Sequence, residues 1–260
     1  MNIFEAIILG LIQGLTEFLP VSSSGHLEIG HIFFGVAEGD NLIFDILVHG
    51  ATVLSTLVVF RKEIFDLLAG LFKFKWNEQT IYISKLLISA IPVAIAGVFF
   101  EEHVEALFSG NLIFIGSMLL VTAGLLAFAY FSKPRTRKIS FIDALVIGVA
   151  QVLAIIPGIS RSGATIATGM IIGNNKANLA RFSFLMVIIP ILGANFLKIV
   201  SGDITANTSI GTLPLIAGFL AAFVAGLLAC RWMVNIVRKG KIIYFAVYCV
   251  IIGAFAIFAA

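Results

Sequence analysis

The sequence predicts an all-α polytopic membrane protein, with six transmembrane helices and two re-entrant helical hairpins arranged as an inverted-topology repeat. Three observations carry that expectation. The chain of 260 residues is 60% hydrophobic and 12% charged, against about 45–50% and about 25% in soluble domains. Its mean hydropathy of +1.10 is spread along the whole length, which also excludes disorder, since disordered chains combine low hydrophobicity with high net charge. Fifteen of its seventeen Lys and Arg residues fall in four short segments, a pattern that reads as membrane topology.

The elements follow in order. Residues 3–35 are apolar but broken in the middle by Leu19-Pro20-Val21-Ser22-Ser23-Ser24-Gly25, so they read as a helix, a turn and a second short helix. Stretches 42–60, 84–100 and 111–131 are long and apolar enough to cross a bilayer. Residues 141–173 repeat the broken pattern around Pro157-Gly158-Ile159-Ser160-Arg161-Ser162-Gly163. Three further spans are expected at 182–200, 212–230 and 242–260. The length suits a single membrane domain over 1–260, with repeat one at 1–131 and repeat two at 141–260.

Charge fixes the expected sidedness. The basic segments are 61–85, 132–140, 174–181 and 231–241, while 36–41, 101–110 and 201–211 have no Lys or Arg and carry Glu38, Asp40, Glu101, Glu102, Glu105 and Asp203. The other two basic residues are Lys198, placed to snorkel near a helix end, and Arg161 inside the second broken segment. If both broken segments dip in and return to the same side, six spans alternate between basic loops inside and basic-free loops outside. Both termini then lie outside.

The two broken segments resemble each other at an offset of 138 residues: Gly10 with Gly148, Gln13 with Gln151, Leu15 with Leu153, Ser22 with Ser160, Ser24 with Ser162, Gly25 with Gly163 and Phe44 with Phe182. Each half holds one hairpin and three crossings, an odd number, so the second copy is expected upside down. In such folds the site lies near the midplane, where the broken helices meet. The formal net charge of +3 gives no case for nucleic-acid binding. Cys230 and Cys249 sit in apolar stretches without metal or disulfide spacing and read as packing or lipid-facing residues. The opening Met1-Asn2-Ile3-Phe4-Glu5 lacks a basic region and a cleavage motif, so it does not read as a removable signal.

Chemistry concentrates at the breaks. Gln13 and Glu17 are four apart, on one helix face, and are followed by Ser22, Ser23, Ser24, Gly25 and His26. An intramembrane carboxylate is expensive to bury and is functional by default. In the second segment Ser160, Arg161, Ser162, Gly163 and Thr165 open a helix after a Pro-Gly break. Amides at a helix start, hydroxyls and a guanidinium together suit phosphate oxygens. Asp45 and His49, four apart at the start of a span, are further polar candidates. A purely structural ion pair between Glu17 and Arg161 is the plainer reading of the same charges.

The motifs Gln13-Gly14-Leu15-Thr16-Glu17-Phe18-Leu19-Pro20-Val21-Ser22-Ser23-Ser24-Gly25-His26 and Pro157-Gly158-Ile159-Ser160-Arg161-Ser162-Gly163-Ala164-Thr165 resemble the two signatures of the undecaprenyl-diphosphate phosphatase family, the bacitracin-resistance type. The resemblance covers essentially the whole chain. It implies a bacterial plasma-membrane enzyme that converts an isoprenyl diphosphate lipid to its monophosphate with a divalent cation, Mg²⁺ or Ca²⁺. Its carboxylate pattern falls on Gln13 and Glu17, its Ser/His element on Ser23 and His26, and its phosphate-binding Arg on Arg161. Glu17 is then the catalytic carboxylate and a candidate metal ligand. Gln13, Ser22, Ser24, Gly25, Ser160, Ser162, Gly163 and Thr165 are expected to bind substrate. Ser23, His26 and a water are the alternative nucleophiles. A lipid-carrier transporter is the competing function, because inverted repeats with broken helices also build transporters.

Overall fold

A computed structural model describes residues 1–36, 38–100, 110–133, 136–193 and 210–260, with backbone only at 38–41. Its helices are α1 (Ile3–Thr16), α2 (Ser23–Phe34), α3 (Glu38–Val59), α4 (Arg61–Leu71), α5 (Glu78–Phe99), α6 (Leu112–Phe131), α7 (Phe141–Leu153), α8 (Arg161–Ile171), α9 (Lys176–Met186), α10 (Thr212–Arg238) and α11 (Ile243–Phe258). Five segments are long and apolar enough to cross a membrane: Leu42–Val59, Glu78–Phe99, Leu112–Phe131, Lys176–Gly193 and Thr212–Arg238. The expected sixth span, α11, has 16 residues, or about 24 Å at 1.5 Å per residue. That falls short of the roughly 30 Å hydrocarbon core.

Several expected loops are helical. The 61–85 segment, read as a basic loop, contains α4 and the first turns of α5. Helix α3 begins at Glu38, α9 at Lys176, and α10 runs on to Arg238. Charges at helix ends stop a hydropathy count without stopping the helix. The expected outer loops 101–110 and 201–211, and Lys198, lie almost entirely outside the described residues.

Both broken segments open alike. Asn2 caps α1 in a capping box with Glu5, and Ser140 caps α7 in a capping box with Asp143; each box satisfies free amides at a helix start. Their second helices are capped by Ser22 and Ser160, whose side chains accept from the Gly25 and Gly163 amides. Asp143 is further tied by two bonds from Arg137 and one from Asn174.

Helices cross between the halves of the chain. α1 packs along α10, α7 along α5, and α6 along α11. Lipid tails are as apolar as the side chains, so these crossings rest on close backbone approach through small residues. Gly10 and Gly14 of α1 face Gly218, Ala222, Ala225 and Gly226 of α10. Phe44 and Phe182, the paired positions of the repeat, are both fully buried. Cys230 and Cys249 are free, buried packing residues.

Candidate active site

Glu17 ends α1 and is 9% exposed. Around it gather side chains from four helical elements. Gln13, one turn earlier and fully buried, donates its Nε2 to Glu17 Oε2 at 2.9 Å. The Ser23 hydroxyl, from the start of α2, donates to the same oxygen at 2.7 Å. Arg161, the first residue of α8, donates Nη1 to Oε1 at 3.1 Å. From α3, His49 Nε2 lies 3.7 Å from Oε2, too far for a direct hydrogen bond. His49 Nδ1 donates to the Asp45 carbonyl at 2.7 Å, and the Asp45 carboxylate pairs with the buried His31 at 2.9 Å.

The two hairpin turns touch. Ser162 Oγ donates to the Leu19 carbonyl at 3.1 Å, and a Cβ on Gly25 would stand 3.1 Å from Gly158 Cα. Gly158 itself has φ +93°, a conformation only glycine adopts without strain. Ser22 has φ +69°, a backbone state that costs a non-glycine residue roughly 1–3 kcal/mol and concentrates at functional sites. It is held there by its hydroxyl, which accepts from Gly25 N–H at 3.3 Å, and by its carbonyl, which accepts from His26.

The remaining expected site residues form the frame. Ser22 and Ser24 hydroxyls approach to 3.3 Å, and Ser160 and Ser162 hydroxyls to 3.4 Å, at equivalent points of the two turns. The Ser160 hydroxyl accepts from Gly163 N–H at 3.0 Å. Thr165 is buried behind the first turn of α8, donating to the Arg161 carbonyl at 2.9 Å and meeting the Ser183 hydroxyl at 2.6 Å.

His26 stands apart. Its Nδ1 donates to the Ser22 carbonyl at 2.7 Å, and its Nε2 meets the Tyr248 hydroxyl at 3.0 Å. The two rings stack, 5.6 Å between centroids and 8° from parallel. A carbonyl only accepts, so Nδ1 carries the proton and the neutral ring's Nε2 accepts from Tyr248. The described hydrogen bonds join Ser23 to Glu17 and leave His26 outside that cluster.

Sequence reasoning missed three residues. Thr122 of α6 accepts from Ser160 N–H at 3.0 Å and donates to the Gly158 carbonyl at 3.0 Å, clasping the Pro-Gly turn. Ser183 backs Thr165, and Tyr248 holds His26. Each lies in an apolar helix with no local motif, marked in the sequence only as a polar residue among apolar ones. A small cleft beside the cluster has Glu17, Arg161, Ser162, Ser183, Thr52 and Thr56 as its polar lining. Phe18, Val53, Phe184, Val187 and Ile191 form its apolar wall.

Residues 6–255 match the family described as bacitracin resistance protein BacA. The chain belongs to the BacA family. BacA-family relatives named undecaprenyl-diphosphatase include one from Bacteroides fragilis, 58% identical over 99% of this chain and 98% of its own. Another, from Bacteroides thetaiotaomicron, is 58% identical over 97% of each chain. One from Carboxydothermus hydrogenoformans is 42% identical over 97% of this chain and 95% of its own. The BacA match spans both hairpin turns, α1 to α2 and α7 to α8, in one continuous alignment.

Proposed function

We propose that this chain is an undecaprenyl-diphosphatase. It hydrolyses undecaprenyl diphosphate to undecaprenyl phosphate and inorganic phosphate, which returns the lipid carrier to cell-wall synthesis and confers bacitracin resistance. The cluster carries this reading: a guanidinium and a serine hydroxyl held on one buried carboxylate, beside a cleft with apolar lining, suit the anionic head of a lipid.

The roles follow from reach. Arg161 spends one N–H on Glu17, and the rest of its planar fork is suited to two phosphate oxygens. The amides opening α8 add neutral donors at a helix N-terminus, and the Ser162 hydroxyl joins them only once it leaves the Leu19 carbonyl. Glu17 Oε2 accepts from the Ser23 hydroxyl, so Glu17 is placed to take the proton of the attacking oxygen, from Ser23 or from a water in its place. That oxygen bonds the terminal phosphorus, the bridging P–O bond breaks, and the lipid monophosphate leaves with the bridging oxygen. In the Ser23 route a water then releases the phosphoseryl group. His26, with its Nε2 engaged by Tyr248, acts only after that bond opens. Positioning and charge neutralisation supply most of what phosphoryl transfer needs.

Among the described residues no three His, Cys, Asp or Glu side chains converge on one point, and both Glu17 oxygens are engaged. The residues therefore do not fit a cation held by protein alone. A divalent cation carried in on the diphosphate fits the chemistry better, because Mg²⁺ keeps several waters and binds through one or two carboxylates plus phosphate oxygens. Glu17 is the carboxylate at hand.

The test uses detergent micelles, where sidedness is abolished. Purified protein should release phosphate from the C55 diphosphate, lose that activity to a chelator and regain it with Mg²⁺ or Ca²⁺. The lipid product should be the monophosphate, and shorter isoprenyl diphosphates should react more slowly, because the wall contributes graded burial along the tail. Folded protein that bound the lipid but released no phosphate under any cation would instead be a transporter of the carrier.

The arrangement in the membrane is proposed as six spans and two re-entrant hairpins, α1–α2 and α7–α8, in inverted repeats at 1–131 and 141–260 with both termini outside. The matched capping boxes, the matched hydroxyl pairs and the packing of α1 on α10 and α7 on α5 support it. Single cysteines, introduced after replacing Cys230 and Cys249, should be labelled by an impermeant reagent from outside at 101–110 or 201–211. Those at 132–140 or 231–241 should stay unlabelled. Outside labelling of 132–140 would refute the arrangement.

A further inference from the structure

Helix α4 is apolar on two adjacent faces. Ile64 and Leu67 pack against the main core, and α4 lies along α5. The face about a quarter turn round carries Phe65 and Leu68, continued by Phe72 just past the helix end, exposed at 70%, 42% and 69%. The chain then leaves through Phe74 and Trp76, exposed at 90% and 70%. A helix facing water turns polar residues outward; this one turns out phenylalanines.

Its position restricts what covers them. α3 ends at Val59 and α5 begins at Glu78, and both contain membrane spans. An 11-residue helix joined one residue after a span reaches about 16 Å, so it stays at the membrane edge of α3 and α5. Charge narrows the partner further. Arg61, Lys62, Lys73 and Lys75 are exposed around the apolar face. Of the two acidic residues of α4, Glu63 faces Arg181 at 3.5 Å, leaving Asp66 against four cations.

We propose that Arg61–Trp76 is an interfacial anchor that seats its aromatic face at the boundary between headgroups and acyl chains and binds anionic lipid headgroups through Arg61, Lys62, Lys73 and Lys75. Aromatic rings and a cationic rim are what that boundary favours. The anchor holds the α3–α5 connection against the bilayer, and with it the end of the span that carries Thr52 and Thr56 to the cleft. The inference does not depend on the phosphatase reading.

The chain has two tryptophans, so Trp232→Phe leaves Trp76 as the sole reporter. The full-length protein is placed in neutral phosphatidylcholine nanodiscs containing a minor fraction of lipid brominated near the top of its acyl chains, carried on either phosphatidylcholine or phosphatidylglycerol. Bromolipid should quench Trp76 while aqueous iodide scarcely does. Quenching by the anionic bromolipid should exceed that by the neutral one about two- to threefold, since each basic residue near the surface adds attraction to anionic lipid. That excess should vanish at about 1 M salt, where screening is near complete, and in the triple variant K62Q/K73Q/K75Q, whose exposed positions leave folding intact. Equal quenching by both bromolipids would overturn headgroup binding. Iodide quenching without bromolipid quenching would overturn the anchor altogether and assign the face to water or to another protein.

Discussion

Arg161→Lys is expected to lower phosphate release by about 10²- to 10³-fold while the protein still folds, because the loss of donors aimed at developing charge in a water-poor site has that magnitude. Lysine keeps the positive charge that compensates Glu17, so the ion pair across the two turns survives. What it loses is the planar fork, which meets two phosphate oxygens at once. Glu17→Gln should lose activity comparably, by removing the acceptor of the Ser23 proton. The thermal unfolding midpoint of Arg161→Lys should stay near wild type, whereas Glu17→Gln leaves Arg161 without its carboxylate and should lose stability as well as activity. The plainer reading of these charges, a structural ion pair between a buried carboxylate and a half-buried guanidinium, makes the opposite forecast for turnover. Breaking it would cost several kcal/mol of stability and leave turnover in the surviving folded fraction unchanged. Measuring turnover and unfolding on the same preparations separates the two, and wild-type turnover in well-folded Arg161→Lys would return Arg161 to a structural role.

Gly14→Val should disrupt the fold itself. A Cβ at residue 14 would stand 2.5 Å from the Ala222 carbonyl oxygen, 2.7 Å from Ala225 Cβ and 2.9 Å from Gly226 N. Two of those atoms are backbone, so no neighbouring rotamer change relieves the clash, and α1 must part from α10. Overpacking of this kind costs about 1–3 kcal/mol and more where the backbone must move. Because Gly14 lies between Gln13 and Glu17, the displacement also pulls the carboxylate from Arg161, and activity should fall together with stability. Gly124→Ala is the matched control. Nothing stands within 4 Å of a Cβ there, so the change should raise helix stability by about 0.4–1 kcal/mol. A Gly14→Val protein that elutes and unfolds like wild type would mean that the α1–α10 crossing is looser than its geometry shows.

How much of this was legible in the sequence differs from element to element. Five of the six expected spans were, because about 20 apolar residues in a row have one low-energy use. Both breaks were, because Pro, Gly and Ser clustered within a few residues interrupt an apolar helix that any one of them alone would not. The meeting of Gln13, Glu17, Ser23 and Arg161 was also anticipated, since the two broken segments repeat each other and such breaks face one another. Helix α4 was not. A short run mixing lysines with phenylalanines gives the same charge count as a loop, and its helix is defined by the Ile64 and Leu67 face that packs on the core.

By itself, then, the sequence determined the membrane class, the two broken segments and the residue types at the site, because hydropathy, proline and buried charge act locally and leave marks at fixed spacing. Only the tertiary structure decided which of those residues share one point. Ser23 and His26 are three apart on one helix, yet Ser23 turns to Glu17 while His26 is drawn to Tyr248, 222 residues away. The left-handed backbone at Ser22 and the carbonyl it offers to His26 Nδ1 fix that divergence. Thr122 and Ser183 joined the site for the same reason: a polar atom buried among apolar helices takes the partner that folding brings within reach, wherever that partner lies in the chain.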